Sequence, residues 1–249
     1  MIKVLQDWDE IGCATIELER QGLPTHGVAQ KNWDLWQILE FRSFKNKRVV
    51  DLGCGGLYLL KFLSSLQFNN LTGIDLSLSL SDRFCPIFYS LYTKRALRPA
   101  YKLYRKNIEK TGFDSSSFDF AVSLSVIEHG VDLHKFFSES ARILRDGAIL
   151  YLSTDYWEPK IHIDESMQMY GAEWTIFSKD EITNLIDIAQ KHGFYLRKEG
   201  EIPNVKDPVI YNCSIGYTFC SIEMKLKKAL IAKRPEQIMR QRSTRKSAM

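Results

Sequence analysis

The chain has 249 residues, 45% hydrophobic and 26% charged, enough to bury the core of one globular domain. No apolar run reaches the roughly 18 residues of a membrane span, and the acidic opening MIKVLQDWDE does not suit a signal peptide. The five scattered cysteines contain no CxxC pair, so neither a zinc site nor a disulfide framework is expected, and the compartment expected is the cytoplasm.

The net charge of +4 conceals an asymmetry: from Lys225 onward there are nine Lys/Arg and one acid, which leaves residues 1–224 at −4. On charge grounds the body is therefore not a basic nucleic-acid binder. Residues 1–30 are mixed, with Gly22, Pro24 and Gly27 marking a loop around Thr25 and His26. NWDLWQILEF then spaces Trp33, Trp36, Ile38 and Phe41 as a helix does. Residues 1–44 are expected to form an N-terminal helical lid segment, 45–224 the main domain and 225–249 a basic tail. KNKRVVDLG reads as a charged turn and a short buried strand, Leu57–Leu66 as an apolar helix, and LTGIDL as a second strand. Between Arg83 and Lys106 lie seven basic residues, no acid and six aromatics. Ile87, Phe88, Leu91 and Arg95 there read as a helix with a solvated basic face, although the same mixture can bind single-stranded nucleic acid. A strand over Ala121–Ser125, a helix over Leu133–Leu144 stopped by Arg-Asp-Gly, and a strand in AILYLST follow. Ser178 and Glu181 form a capping box for a helix reaching His192, which Gly193 closes. FYLRKEG and YTFCSIEMKL are late strands with no helix between them, hence an antiparallel edge. After Leu230 at most a frayed helix is expected. Strands alternating with helices make a parallel sheet covered on both faces.

Residues 49–56 read VVDLGCGG, a strand running into glycines ahead of a helix, which suits an adenosine-bearing ligand. A phosphate loop needs GxxxxGK[ST] and fails here. A strict GxGxxG fails as well, since Tyr58 occupies its last glycine position. Asp51, just before the glycines, repels phosphate and suits an ammonium group. S-adenosylmethionine fits a ligand with adenosine, a positive charge and no phosphate; the alternative is a tight turn with a packing role. Asp75 ends the second strand 24 residues after Asp51, where an acid can accept the protons of both ribose hydroxyls. Asn107 can meet an adenine amino group while Ile108 covers the ring. LSVIEHG follows the next strand, near the reactive end of such a ligand.

VDLGCGG (50–56), GIDLS (73–77), KNIEKTGF (106–113), SSFDFAVSLSVIEH (116–129) and ARILRDGAILYLST (141–154) together resemble the class I S-adenosylmethionine-dependent methyltransferases in order and spacing over roughly residues 45–155. The resemblance implies a Rossmann-like fold: a doubly wound, mostly parallel seven-stranded sheet with an antiparallel last strand. It further implies that Gly53 and Gly55 meet the methionine moiety, Asp75 the ribose, and Asn107 with Ile108 the adenine. Asp51, Cys54, Leu76 and Ser125 complete the expected cofactor set. Two positions depart from the family pattern: Leu57 stands where a third glycine is usual, and Asn107 where Asp is frequent. THGVAQKNWDLW, LSVIEHGVD, STDYWEP and GAEWTIFS more loosely resemble methyltransferases found beside sugar- and polysaccharide-assembly enzymes.

Methyl transfer from a sulfonium is an in-line displacement in which positioning supplies much of the rate, and an oxygen acceptor also needs a base. His129 is the first candidate for that base; the alternative is that Glu128 and His129 cap a helix or fix a loop. His162 with Asp155 and Asp164 can hold a metal or take a proton, but loop solvation is the favoured reading and no metal is expected. His26 lies in the lid segment, and His134 and His192 read as surface residues. Trp157, Tyr170 and Trp174 can form a stacking surface for a flat acceptor or can simply pack. The expected function is S-adenosylmethionine-dependent methyl transfer to a small-molecule or glycan acceptor, at a hydroxyl oxygen. The alternatives are an RNA methyltransferase, for which the basic stretch and tail speak, and a non-catalytic binder that keeps the fold. The same basic segments suit contact with an anionic membrane surface. No oligomeric state is implied.

Overall fold

The computed structural model describes residues 1–79, 81–84 and 100–229. Its strands are β1 (Ile2–Val4), β2 (Arg48–Leu52), β3 (Asn70–Asp75), β4 (Lys102–Arg105), β5 (Phe118–Leu124), β6 (Leu144–Tyr156), β7 (Phe194–Leu196), β8 (Ile210–Asn212) and β9 (Ile215–Leu226). Its helices are α1 (Trp8–Arg20), α2 (Lys31–Ile38), α3 (Tyr58–Ser65), α4 (Leu133–Ile143) and α5 (Lys179–Lys191).

The sheet runs β1-β9-β6-β5-β2-β3-β4. The strands from β4 to β6 are parallel, and the central β2 and β5 are buried along most of their length, as strands covered on both faces are. β9 is antiparallel to β6. Its outer edge is shared end to end by β1, which pairs at Cys220–Ile222, and β7, which pairs at Met224–Leu226. The doubly wound sheet is thus as expected, but nine strands are present among the described residues rather than seven. β1 and β8 are too short to carry a sequence period. β8 joins β9 through Cys213 and Ser214, both at positive φ (48° and 67°), the geometry of a tight hairpin turn.

Alternation along the strands separates two core layers. Val50, Leu52 and Ala121 face α4 and α5 through Phe136, Phe137, Ile182 and Leu185. Val49, Phe120, Val122 and Tyr151 face the other way, onto Leu35, Ile38 and Phe41 and onto Leu60 and Leu63 of α3. The capping box of α5 has both halves in place: Glu181 N donates to Ser178 Oγ at 3.3 Å, and Ser178 N donates to Glu181 Oε2 at 2.8 Å.

One expectation is corrected. Residues 1–44 are not all helical, since β1 belongs to the main sheet and ties the N-terminus to β9. The mixed segment 1–30 contains α1, whose Asp7 N-cap accepts from Glu10 N at 2.9 Å and whose buried face is Ile11, Ala14 and Leu18. The helix expected over Leu133–Leu144 stops as expected, at Ile143, and Arg145-Asp146-Gly147 already runs within β6, where the register against β5 slips between Phe118 and Phe120. The helix expected around Ile87–Arg95 and the tail beyond Leu230 lie outside the described residues. Among the described residues no helix is long and apolar enough to cross a membrane.

β2 has β3 on one side and β5 on the other, so the chain order reverses at β2. That is the switch point where open parallel sheets leave a crevice at the carboxyl ends of their strands.

Candidate functional site

The carboxyl ends of β2, β3 and β5 bring Asp51, Asp75 and Ser125 to one crevice. The loop after β2 is pinned sideways: Gly53 N and Cys54 N both donate to Ile74 O, at 2.9 and 3.0 Å. Gly53 has φ +90°, and a Cβ there would lie 2.4 Å from Val126 Cγ2. Two constraints, backbone and packing, therefore demand glycine. A Cβ on Gly55 would sit 3.5 Å from Asp75 Oδ2, so the bare backbone of Gly55 forms one wall of a cradle whose other wall is that carboxylate.

Leu57, where the sequence departs from the family's third glycine, has φ 61° and ψ 13°. It keeps the left-handed backbone that glycine would supply, because its buried side chain packs with Leu59, Leu60 and Leu63.

Asp51 is buried, and no hydrogen bond compensates its carboxyl among the described residues. Burial first, then Asp75, pushes its pKa up to about 8. Asp75 Oδ1 accepts from Ser77 N (2.7 Å) and Ser77 Oγ (2.6 Å), which leaves Oδ2 toward Gly55. Cys54 is buried, and burial together with the two acids raises its thiol far above the ordinary range, so it offers its backbone and not a nucleophile. Leu76 is 61% exposed at the rim. Asn107 Oδ1 accepts from Glu109 N at 2.7 Å, so one lone pair of the oxygen is used locally. Ile108 is buried in the main core. A cradle of bare glycines between two carboxyls, one of them buried without a partner, fits a cationic ligand that carries a ribose.

Ser125 stands at φ 51°; its N–H donates to Ser153 O at 2.9 Å, and its hydroxyl oxygen accepts from Lys31 Nζ. Lys31, on the first turn of α2, also lies 4.0 Å from the centre of the Phe219 ring, a cation–π contact. Around this ammonium are three buried acids. Burial pushes Asp34 and Asp155 up to about 6, while Lys31 pulls both down. Burial raises Glu128 as well, with Asp155 adding to the shift and Lys31 opposing it. Thr154 Oγ1 donates to Glu128 Oε2 at 3.0 Å, whereas Glu128 Oε1 and Asp34 Oδ2 have no partner among the described residues. Lys31, Asp34 and Tyr217 were not singled out from the sequence. A lysine in AQKNW and an acid inside a helix carry no motif, and only the packing of α2 against the ends of β5 and β9 brings them here.

His129 follows the turn after Ser125, its N–H donating to Val126 O at 3.0 Å. Burial lowers its pKa below the usual imidazole value, with the Glu173 backbone opposing and Lys31 adding to the shift. Its Nδ1 is buried and has no hydrogen-bond partner among the described residues. The Tyr170 ring stands edge-on, with centroids 5.6 Å apart.

The other candidates separate. Asp155 is buried and accepts from Trp174 Nε1 at 2.8 Å, so Trp174 is a packed, hydrogen-bonded residue and not an open stacking face. His162 and Asp164 are exposed, and Asp164 caps the turn at Ser166. These three do not converge, and among the described residues no three His, Cys, Asp or Glu side chains are grouped to hold a metal. His26 lies over Tyr58 with centroids 3.8 Å apart, which closes the N-terminal segment onto the glycine loop. His134 and His192 touch at 3.4 Å on the surface.

Residues 26–199, more than half of the chain, match the family described as methyltransferase domain. The ubiquinone biosynthesis O-methyltransferase of Pelagibacter ubique is 27% identical over 192 residues, covering 71% of this chain and 75% of that protein. The protein of the same name from Coxiella burnetii is 29% identical over 112 residues, covering 45% of each chain. Among solved structures, the S-adenosylmethionine-dependent methyltransferase of Mesorhizobium loti aligns with TM-score 0.51 and 16% identity, over 76% of this chain and 96% of that one. The 1,6-didemethyltoxoflavin-N1-methyltransferase of Burkholderia thailandensis, bound to S-adenosylhomocysteine, aligns with TM-score 0.54 and 12% identity over 88% of both chains. The structural likenesses show the fold; the family match shows more, and the chain belongs to the methyltransferase domain family.

Proposed function

We propose that this S-adenosylmethionine-dependent methyltransferase acts on a hydroxyl oxygen of a small molecule. The observation that carries the cofactor half is the bare backbone of Gly55 against the Asp75 carboxylate, with the buried Asp51 close enough to Asp75 for that acid to raise its pKa. When bound, S-adenosylmethionine supplies a methyl group on a sulfonium, already activated for displacement. Asp75 Oδ2 would accept from the ribose, Leu76 and Ile108 would cover the adenine, and Asn107 would meet its edge. Asp51 would face the ammonium group, and Lys31, held at Ser125, would meet a carboxylate. These side chains hold and orient; the fixed loop supplies the positioning on which a displacement depends.

The acceptor half rests on His129. Burial lowers its pKa below the usual imidazole value and so favours the neutral ring, the form that can take the acceptor proton as the new oxygen–carbon bond forms. The O-methyltransferase relatives support an oxygen acceptor. Because they are named for ubiquinone biosynthesis and not for polysaccharide assembly, the expectation of a sugar is carried only as far as a small hydroxyl compound, free sugars included.

Calorimetric titration with S-adenosylhomocysteine, beside Asp75→Ala, tests the cofactor half: micromolar binding lost in the variant is expected. Transfer of a labelled methyl group to hydroxyl compounds, compared with matched amines, tests the acceptor half. Turnover of amines alone would refute the oxygen reading.

A further inference from the structure

We propose that Tyr170 selects the acceptor, clamping a planar hydroxylated ring against its phenol face with the hydroxyl at His129. This rests on His129 as the acceptor end of the site.

Met169 and Ala172 exchange two backbone hydrogen bonds, both 3.0 Å, across Tyr170 and Gly171. The two central residues have φ 57° and 76°. The turn therefore places a bulky aromatic residue in the left-handed region, at a position where Asn or Gly is usual. The arm that carries it is fixed to both strand ends of the site. Thr175 N donates to Glu128 O at 2.9 Å, Phe177 N to Asp155 O at 3.0 Å, and Trp174 Nε1 to Asp155 Oδ2 at 2.8 Å. A rigid base thus carries a tip whose tyrosine is 91% exposed and yet stands perpendicular to the His129 ring. Such a ring contributes little to the core and occupies a strained backbone position. What it does have is a free face beside the candidate base.

Behind the arm, Tyr217 and Phe219 are buried with Trp174, which leaves the exposed Tyr170 as the aromatic face next to His129. A planar ring gains stacking on that face that a saturated ring of the same size does not. An aromatic hydroxyl, with a pKa near 10, is also a far easier proton donor to a burial-weakened imidazole than an aliphatic alcohol.

The test uses the full chain saturated with S-adenosylhomocysteine and a matched pair of probes, 2-naphthol and decahydro-2-naphthol. Affinities are read by ligand-observed NMR for the parent protein, Tyr170→Ala and Tyr170→Phe. The parent and Tyr170→Phe should prefer the planar probe by about fivefold or more. Tyr170→Ala should lose that preference while binding S-adenosylhomocysteine as the parent does, which reports an intact fold. The absence of a planar preference in the parent, failure of the planar probe to bind, or a preference that survives in Tyr170→Ala would each overturn the proposal. Methyl transfer to 2-naphthol is read separately. A planar preference that depends on Tyr170, with no hydroxyl compound ever methylated, would sink the oxygen-acceptor reading and leave the clamp standing.

Discussion

Replacing Gly53 by alanine adds one methyl group where the loop has no room for it. Its Cβ would lie 2.4 Å from Val126 Cγ2 and 2.7 Å from Cγ1, and Val126, being β-branched, cannot swing aside cheaply. Overpacking of this kind costs about 1–3 kcal/mol. Alanine at φ +90° adds roughly 1–2 kcal/mol of backbone strain. The expected loss is therefore about 2–5 kcal/mol, a large share of the ~5–15 kcal/mol of a typical domain. Val126→Ala removes both clashing methyls, so the double variant should be less destabilised than the sum of the singles by about 1–3 kcal/mol. Urea unfolding followed by circular dichroism gives the four stabilities, and calorimetry with S-adenosylhomocysteine shows whether the loop still binds. A Gly53→Ala protein within about 0.5 kcal/mol of the parent, or strict additivity with Val126→Ala, would refute the argument that packing and backbone together dictate this glycine.

Leu57→Gly relieves a left-handed backbone but deletes a buried side chain. It should therefore cost less than Leu60→Ala in the same layer, by about 1 kcal/mol in urea unfolding; an equal or larger loss would mean that Leu57 carries no strain. Lys31→Met removes the cation that opposes three buried acids and should weaken S-adenosylhomocysteine binding by roughly tenfold or more in calorimetry; unchanged affinity would remove Lys31 from the cofactor site. The carboxyl of Asp51 is raised from 3.8 to about 8 in the folded protein, so the folded state holds a proton that the unfolded chain releases. Stability of the ligand-free protein should accordingly fall as pH rises from about 4 toward 8. Asp34 and Asp155, raised to about 6, contribute to the lower part of that window, so Asp51→Asn should flatten the decline mainly between pH 6 and 8. Parallel pH profiles of parent and variant would show that Asp51 is not the group concerned.

The cofactor half of the site was legible in the sequence because it is local. VVDLGCGG is a strand, a turn and a helix start in contiguous residues, and Asp75 lies at the tip of the adjacent strand, where the βαβ order must place it. Elements long enough to show a period were legible for the same reason, as α3, α4 and α5 show. β1 and β8, with three residues each, hold too few side chains for alternation to be told from chance, and α1 was obscured because Trp8, Cys13 and Ile16 on its outer face are exposed apolar residues. His129 was visible through its place after β5. Glu128 and Asp155 were singled out too, but not their meeting with Asp34 and Lys31, which come together with them only when α2 closes over the ends of β5, β6 and β9.

This division has an electrostatic consequence. The crevice holds Asp51 beside Asp75, and Glu128, Asp155 and Asp34 around Lys31, and burial holds four of these acids above their ordinary pKa. A ligand-free protein keeps such a site only by leaving the carboxyls partly protonated, at a cost in stability that rises with pH. A cofactor with an ammonium and a sulfonium brings the missing positive charge. Its binding should favour ionised Asp51, release a proton near neutral pH, and stabilise the fold more as pH rises. The acidity that makes the empty crevice a weak point of the fold is thus the property that draws a cationic methyl donor into it, as buried and poorly compensated charge often does at functional sites.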